Sequence, residues 1–551
     1  MNAPGQGGRT GGGSGHGGGS AGRGGRPGGG SGRSGGGPGR DRRPSHGQRP
    51  DHGQRPERGK RPDRGERPNR GERPNRGQHS DRSRQAPRER ARSTDPARRA
   101  AWDALRAVAE SDAYANLVLP PLLRERRITG RDAAFATELA YGTLRLRGRY
   151  DAVLATVADR PLTTLDPPVL DALRLGVHQL LGMRVPDHAA VSATVGLARD
   201  AIGAGPAQFV NAILRKVAGQ DLDQWLEQIS ADAKDETERL AIGGSHPAWM
   251  VRAFRQALAE TPTGSGDLPE LLAANNEPPA VHVALRPGLV DAEEIHGTRP
   301  GRWTDTARVL TAGDPHAIPA VREARAGIQD EGSQLVTLVA AAAPVAGSDR
   351  AWLDLCAGPG GKAALFGGLL AERDAGGELL ANEVAEHRAR LVRSSTAAVR
   401  QRLPGLEVRT GDGRELGADL PDHFDRALVD VPCTGLGALR RRPEARWRRS
   451  ASDLAELGML QRELLASALA AVRPGGVVTY VTCSPHVAET RLVVEDVLGR
   501  TRNGEVLDAV EIAAGVTTTP LTDQSGPYLQ LWPHRHGTDA MFCAVIRRTG
   551  Q

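Results

Sequence analysis

Residues 351–362 read AWLDLCAGPGGK, an apolar run that breaks into a glycine-rich turn and then opens helical sequence. A strand, such a turn and a helix let backbone N–H groups approach a cofactor closely. Three readings compete. A phosphate-binding P-loop fails, because Cys356 stands at the first glycine position and Ala363 where Ser or Thr would hold magnesium. A dinucleotide fingerprint survives only as Gly358-x-Gly360-x-x-Ala363, a weak match by itself. The third is an S-adenosylmethionine site, with Cys356, Ala357, Gly358, Pro359, Gly360, Gly361 and Lys362 around the amino-acid end of the cofactor. Acids at later strand ends would hold the rest. Glu383 follows the run Leu379–Ala381, where a dinucleotide site places its ribose-binding acid. Asp412, in Gly411-Asp412-Gly413-Arg414, ends the next run within reach of an adenine. Each acid singly reads as a solvated turn residue; their spacing as a set favours the methyl donor.

Two more apolar runs each end at a cysteine. Phe424–Asp430 (FDRALVD) leads into Val431-Pro432-Cys433, and Gly476–Val481 (GVVTYV) leads into Thr482-Cys483-Ser484. Both have the composition of buried parallel strands, whose carboxyl ends share the ligand-binding rim of an α/β sheet. Two thiols at one rim suit covalent chemistry on an electrophilic carbon, although free cysteines are as often small buried hydrophobes. Cys543, inside Met541–Ile546, reads as core, and Cys356 matters for its backbone. None of the four cysteines has C-x-x-C spacing, so no metal site and no disulfide is expected, and unpaired thiols fit a reducing cytoplasm.

Cys356–Lys362, Asp430-Val431-Pro432-Cys433, Thr482-Cys483-Ser484 and Glu489 together resemble the Fmu/Sun family of RNA cytosine-C5 methyltransferases. Ile328-Gln329-Asp330-Glu331-Gly332-Ser333-Gln334 and Gly537-Thr538-Asp539-Ala540-Met541-Phe542 extend the likeness, which spans roughly residues 236–551. Gly358, Ala363, Thr434 and Thr490 depart from the usual family residues, and none removes a group the chemistry needs. The resemblance implies that Cys483 is the nucleophile, that Cys433 assists release and that S-adenosylmethionine is the cofactor. Carbon 5 of cytosine is a poor nucleophile until a thiolate adds to carbon 6. A carboxyl group at the ring-nitrogen edge, for which Asp430 is placed, would stabilise the developing charge.

Composition divides the chain. Residues 1–92 hold 22 Lys+Arg against 8 Asp+Glu, while the whole chain is only +7, so everything beyond them is net acidic. The first aromatic residue is Trp102, and residues 49–78 are five hexapeptides of the type RPDRGE. Units with a Pro, a Gly and no apolar side chain cannot stack, so residues 1–94 read as a disordered basic tail able to bind RNA with little sequence preference. No apolar stretch is long enough for a membrane span or a signal peptide, and a cytoplasmic protein is expected.

Residues 95–235 carry helical spacing, with Asp95-Pro96 and Asp166-Pro167 as helix starts. Glu138–Leu144, Leu170–Gly176 and Phe209–Lys216 resemble NusB-like RNA-binding domains, with Arg145, Arg147, Arg149, Arg215 and Lys216 as the nucleic-acid face. Residues 236–335 are expected to form a linker and a small RNA-contacting α+β subdomain. In it Val281–Leu285 alternates like a strand with one covered face. Arg440, Arg441, Arg442, Arg446, Arg448 and Arg449, with Trp447, follow Cys433 and suit phosphate clamping and base stacking.

The expected architecture is thus an α/β Rossmann-like methyltransferase domain over residues 336–551, preceded by an all-α NusB-like domain and a disordered N-terminal tail. The NusB-like fusion resembles the enzymes of small-subunit ribosomal RNA, whose RNA is the expected partner of a monomeric protein. A transfer-RNA methyltransferase, or an inactive RNA-binding factor of antitermination type, are the alternatives.

Overall fold

The computed structural model describes residues 95–550 except 112 and 263, so the repeats read as a basic tail lie outside the described residues. Helices Pro96–Ser111, Ala115–Glu125, Gly130–Arg145, Arg147–Val157, Pro167–Leu181, Asp187–Ala201 and Ala204–Val217 pack around Trp102, Leu139, Tyr150, Leu173 and Leu214. Apolar residues three and four apart give each helix one face to bury. Asp95 caps its helix, its carboxylate accepting from the Ala97 N–H at 2.9 Å. Asp166 does not cap with its side chain; its carbonyl takes the Val169 and Leu170 N–H groups instead.

Helices Glu236–Gly244, Ala248–Ala259 and Leu268–Ala274 come next, and Met250, Phe254 and Leu272 pack against Leu436, Leu439, Val487 and Trp532 from loops of the catalytic sheet. A small antiparallel sheet follows, ordered β2-β3-β1-β4, from β1 (His282–Leu285), β2 (Thr298–Pro300), β3 (Ala307–Leu310) and β4 (Ala326–Ile328). All four residues of β1 are buried, where one covered face was expected. Val283 and Leu285 face an apolar cluster with Ile295 and Ala320. His282 on the other face meets Asp330 and Glu331 at the start of helix Glu331–Ala342.

That helix belongs to the core of the larger sheet. Its strands are β5 (Ala351–Asp354), β6 (Glu378–Glu383), β7 (Gly405–Thr410), β8 (Phe424–Asp430), β9 (Val472–Thr482), β10 (Gly504–Leu507), β11 (Leu529–Gln530) and β12 (Phe542–Arg548). The order is β10-β12-β9-β8-β5-β6-β7, with β11 on β12. Strands β5 to β9 are parallel, and β12 runs antiparallel beside β9. Residues alternate between two cores: Trp352, Leu428 and Val477 face one layer, Leu353, Val429 and Val478 the other. After β5 the chain builds outward through β6 and β7, then returns to β8 on the opposite side. The switch point between β5 and β8 is where α/β sheets bind ligands. Among the described residues no helix is long and apolar enough to cross a membrane.

The helical region and the catalytic sheet meet along the segment after Cys433. Glu444 accepts from the Ala115 N–H at 3.1 Å, and Arg448 donates to Val108 and Ala113 carbonyls at 2.7 and 2.8 Å. Arg446 is fully buried and donates to the Arg145 and Asn275 carbonyls, the latter at 2.7 Å, and to Asn276 Oδ1 at 2.8 Å. Trp447 packs so closely on Gly148 that a Cβ there would lie 2.4 Å from the indole. Two expected nucleic-acid contacts are therefore corrected. Arg145 is buried, donating to the Arg440 carbonyl, and Arg149 donates to the Gly243 carbonyl at 2.8 Å, because the backbone at this seam needs donors. Arg147 sits over the Trp447 ring and beside Asp151, whereas Arg215 and Lys216 are exposed.

Replacing Arg446 by Met, which keeps the stem and deletes the donors, should destabilise the protein by about 3 kcal/mol, since several buried acceptors lose their partner. A urea unfolding midpoint equal to that of the parent protein would show that the seam is held by other contacts.

Candidate active site

The glycine turn leaves β5 at the switch point. Gly360 has φ 107°, and a Cβ there would meet the Val392 Cα at 2.9 Å, so only glycine fits both conformation and space. Gly358 is equally confined: its N–H donates to Glu383 Oε2 at 3.0 Å, and a Cβ would stand 2.2 Å from that oxygen. Glu383 ends β6, is buried, and also accepts from the Ala385 N–H at 3.1 Å. The Ala357 N–H donates to the Asn382 carbonyl at 2.8 Å. Asp412 lies beyond β7, half-buried, with its carboxylate gripped by the Arg414 guanidinium and the Arg414 N–H. Those bonds hold its pKa below the usual range. An adenine contact there would have to share the carboxylate with Arg414.

Sequence reasoning missed Asp354, the last residue of β5. It is buried under the turn, and neither carboxylate oxygen completes a hydrogen bond, the Cys356 N–H making only a weak approach. Burial and then the charge of Asp430 push its pKa up to about 8. An unpartnered buried acid beneath a glycine cradle fits a cationic group such as the ammonium of S-adenosylmethionine. The signal was available: an acid directly ahead of the turn, inside a run otherwise apolar.

Beyond β8 and β9 the two predicted cysteines come together, Cys433 Sγ lying 3.4 Å from Cys483 Sγ. Lys362 reaches across from the helix after the glycine turn and donates to Asp430 Oδ2 at 2.8 Å. The pair is unequal. The Cys483 thiol is lowered by its hydrogen bond with Cys433 and by the charges of Lys362 and Arg442, against burial and Asp430. The Cys433 thiol is raised by the same bond and by burial. The neighbouring Lys362 and Arg442 charges favour the thiolate at Cys483. Cys356 is intermediate in exposure on the turn, its thiol pushed up by burial, and Cys543 is buried in β12.

Glu489 holds both cysteine loops. Its carboxylate, wholly buried, accepts from the Thr434 N–H at 2.7 Å, the Ser484 hydroxyl at 2.6 Å, the Thr434 hydroxyl and Gln461 Nε2 at 3.2 Å. Tyr480 O–H donates to the Glu489 carbonyl at 2.8 Å. The Gly437 N–H donates to the Cys483 carbonyl at 2.8 Å, tying the loops a second time.

The expected arginine clamp is corrected. Arg440 and Arg441 pair with Asp539, each at 3.0 Å, and with Asp330; Arg446 and Arg448 hold the seam; Arg449 lies 3.6 Å from Asp453. Asp330 and Asp539 come from distant segments, so no local count of Asp and Glu could reveal them. Asp330 and Asp539, from the two outlying motifs, therefore brace the loop after Cys433. Among the described residues no cluster of His, Cys, Asp and Glu has the arrangement of a metal site.

A family model for the NusB family matches residues 95–219, and one described as 16S rRNA methyltransferase RsmB/F matches residues 341–547. "Putative methyltransferase Rv1407" of Mycobacterium tuberculosis is 50% identical, over 83% of this chain and 97% of its own length. Ribosomal RNA small subunit methyltransferase B of Salmonella arizonae is 30% identical, over 82% of this chain and 98% of its own. The crystal structure of PH0851 shares the fold, with a TM-score of 0.68 and 20% identity over 83% of this chain and 99% of that one.

Glu489→Ala should cost about 3 kcal/mol, because it strands buried donors on both loops, whereas Glu489→Gln, which keeps an acceptor, should cost less. Equal urea midpoints for the two would remove the clasp role. Asp354 binds a proton in the folded state between about pH 4 and pH 8 that the unfolded chain lacks, so its contribution to stability falls as pH rises through that window. The difference in unfolding free energy between the parent and Asp354→Asn should change by up to about 1.4 kcal/mol per pH unit there. A pH-independent difference would refute the raised pKa.

Proposed function

The chain belongs to the 16S rRNA methyltransferase RsmB/F family, and on that footing we propose that it methylates carbon 5 of a cytosine in small-subunit ribosomal RNA through a covalent cysteine adduct. The observation that carries this reading is the thiol pair 3.4 Å apart at the rim of the switch point, with the Lys362–Asp430 pair beside it. One thiol suffices for a small buried hydrophobe; two of opposite pKa direction suit addition followed by elimination.

S-adenosylmethionine, the cofactor of this methyltransferase, supplies an electrophilic methyl group when bound. The glycine turn, Asp354 and Glu383 are the residues to hold it, with Asp412 at the far end. Lys362 keeps Asp430 oriented, so that the carboxyl can meet the ring-nitrogen edge of the cytosine. Cys483 thiolate adds to carbon 6, which gives carbon 5 the electron density of an enamine. Once carbon 5 is methylated, its proton must leave and the carbon–sulfur bond must break. Cys433, adjacent, would assist that collapse as a thiolate, its own proton having passed to solvent. It takes the carbon 5 proton, the freed electron pair restores the carbon 5–carbon 6 double bond, and Cys483 leaves as thiolate. The helical region and the tail would supply further RNA affinity.

Bisulfite mapping of ribosomal RNA treated with the purified protein and S-adenosylmethionine should reveal a protected cytosine. No protection on any small-subunit RNA would overturn the substrate. Cys483→Ala should form neither product nor adduct. Cys433→Ala should transfer methyl and then stall, accumulating as a protein–RNA conjugate that survives denaturing gels. The opposite pattern would exchange the two roles. Glu383→Gln, which leaves an acceptor for the Gly358 N–H, should weaken S-adenosylmethionine binding by about 1.5–3 kcal/mol in calorimetry; unchanged affinity would remove Glu383 from the cofactor site.

A further inference from the structure

Five of the six arginines that follow Cys433 are held by carboxylates or by seam carbonyls. Arg442 is the exception: it is exposed, and among the described residues its guanidinium meets neither an ion-pair partner nor a hydrogen-bond acceptor. It lies instead on the face of Tyr114, 5.1 Å from the ring centroid, and the same ring backs Arg448 at 5.5 Å. Tyr114 comes from the helical region, between helices Pro96–Ser111 and Ala115–Glu125, and is half-buried. Arg442 comes from the loop that carries Cys433. The platform therefore exists only while the two regions are docked.

Two observations place the Arg442 loop close to the thiol pocket. The Gly437 N–H bond to the Cys483 carbonyl draws the preceding part of the Arg442 loop onto the thiol pocket. The Arg442 charge is also among those felt by the Cys483 thiol. A guanidinium flattened on an aromatic ring loses rotamer freedom but keeps its outward N–H donors, a geometry that suits a phosphodiester. Buried arginines cannot serve this purpose here, and neighbouring Arg440 and Arg441 already share two acids.

We propose that Tyr114 and Arg442 form a two-domain subsite at the mouth of the cysteine pocket, where Arg442 binds an RNA phosphate next to the target nucleotide and Tyr114 holds the guanidinium in place. The inference rests on the RNA methyltransferase reading. It makes the helical region a part of the substrate site and more than a tether for RNA.

The test uses the full chain, a small-subunit ribosomal RNA fragment and steady-state methyl transfer across a salt series. Arg442→Gln should raise KM for RNA about tenfold, the loss of one charge-assisted contact. It should also make the slope of log affinity against log salt shallower by about 0.7, the value for one phosphate on a single strand. Arg442→Lys should keep the salt slope while losing part of the affinity. Tyr114→Ala should raise KM in the same sense, Tyr114→Phe should restore it, and the double variant should fall short of the sum of the singles. An unchanged KM and salt slope in Arg442→Gln, with the parent enzyme active, would overturn the subsite alone. A parent protein that transfers no methyl group to ribosomal RNA would overturn the functional reading and this inference with it.

Discussion

Because β8 and β9 run parallel with Asp430 opposite Val481, both chains leave the sheet at the same edge within a few residues, and each turns into a cysteine. Parallel neighbours share a direction, so their ends coincide; an antiparallel partner would have carried the second thiol to the far rim. Sheet pairing brings the loops near one another, and the buried Glu489 carboxylate fixes their spacing by drawing donors from both. A buried carboxylate is tolerated only when its lone pairs are satisfied, and four donors converge on this one. The 3.4 Å separation of the sulfurs is thus a consequence of charge satisfaction as much as of sheet register.

The segment after Cys433 serves a second purpose with the same residues. At one end it is tied to the sheet by Gly437, Arg440 and Arg441; at the other, Glu444, Arg446 and Arg448 reach the helical region. The helical region and the cysteine pocket therefore share one connecting segment. Arginine suits it because a planar fork can serve several carbonyls at once. Arg446 does so with no acid beside it, and burial lowers its pKa to about 9, so backbone carbonyls and the Asn276 amide oxygen offset its charge. Positive charge that in sequence suggests RNA contact is here largely spent on joining two parts of the protein, which leaves Arg442 as the cation at the mouth.

What was legible in the sequence follows from interactions between near neighbours. Period-2 and unbroken apolar runs marked β5, β6, β8 and β9, helical spacing marked the first region, and the glycine turn declared itself because Gly360 needs both a positive φ and an absent Cβ. The positions of Glu383, Asp430, Cys433 and Cys483 at strand ends were readable for the same reason. The second covered face of β1 and the clasp of Glu489 were not, since each depends on what lies across a gap in space.

By itself the sequence determined the two folds, the glycine cradle and the pair of thiol-bearing strand ends, because backbone conformation and burial periodicity are set within a few residues. Only the tertiary structure decided which charges are free. Arg446 finds the carbonyl of Arg145, Arg440 finds Asp539, and Cys433 finds Cys483 through folding of long intervening segments. The energy of a charge depends on partners within a few ångströms in space, and distance along the chain carries no information about them.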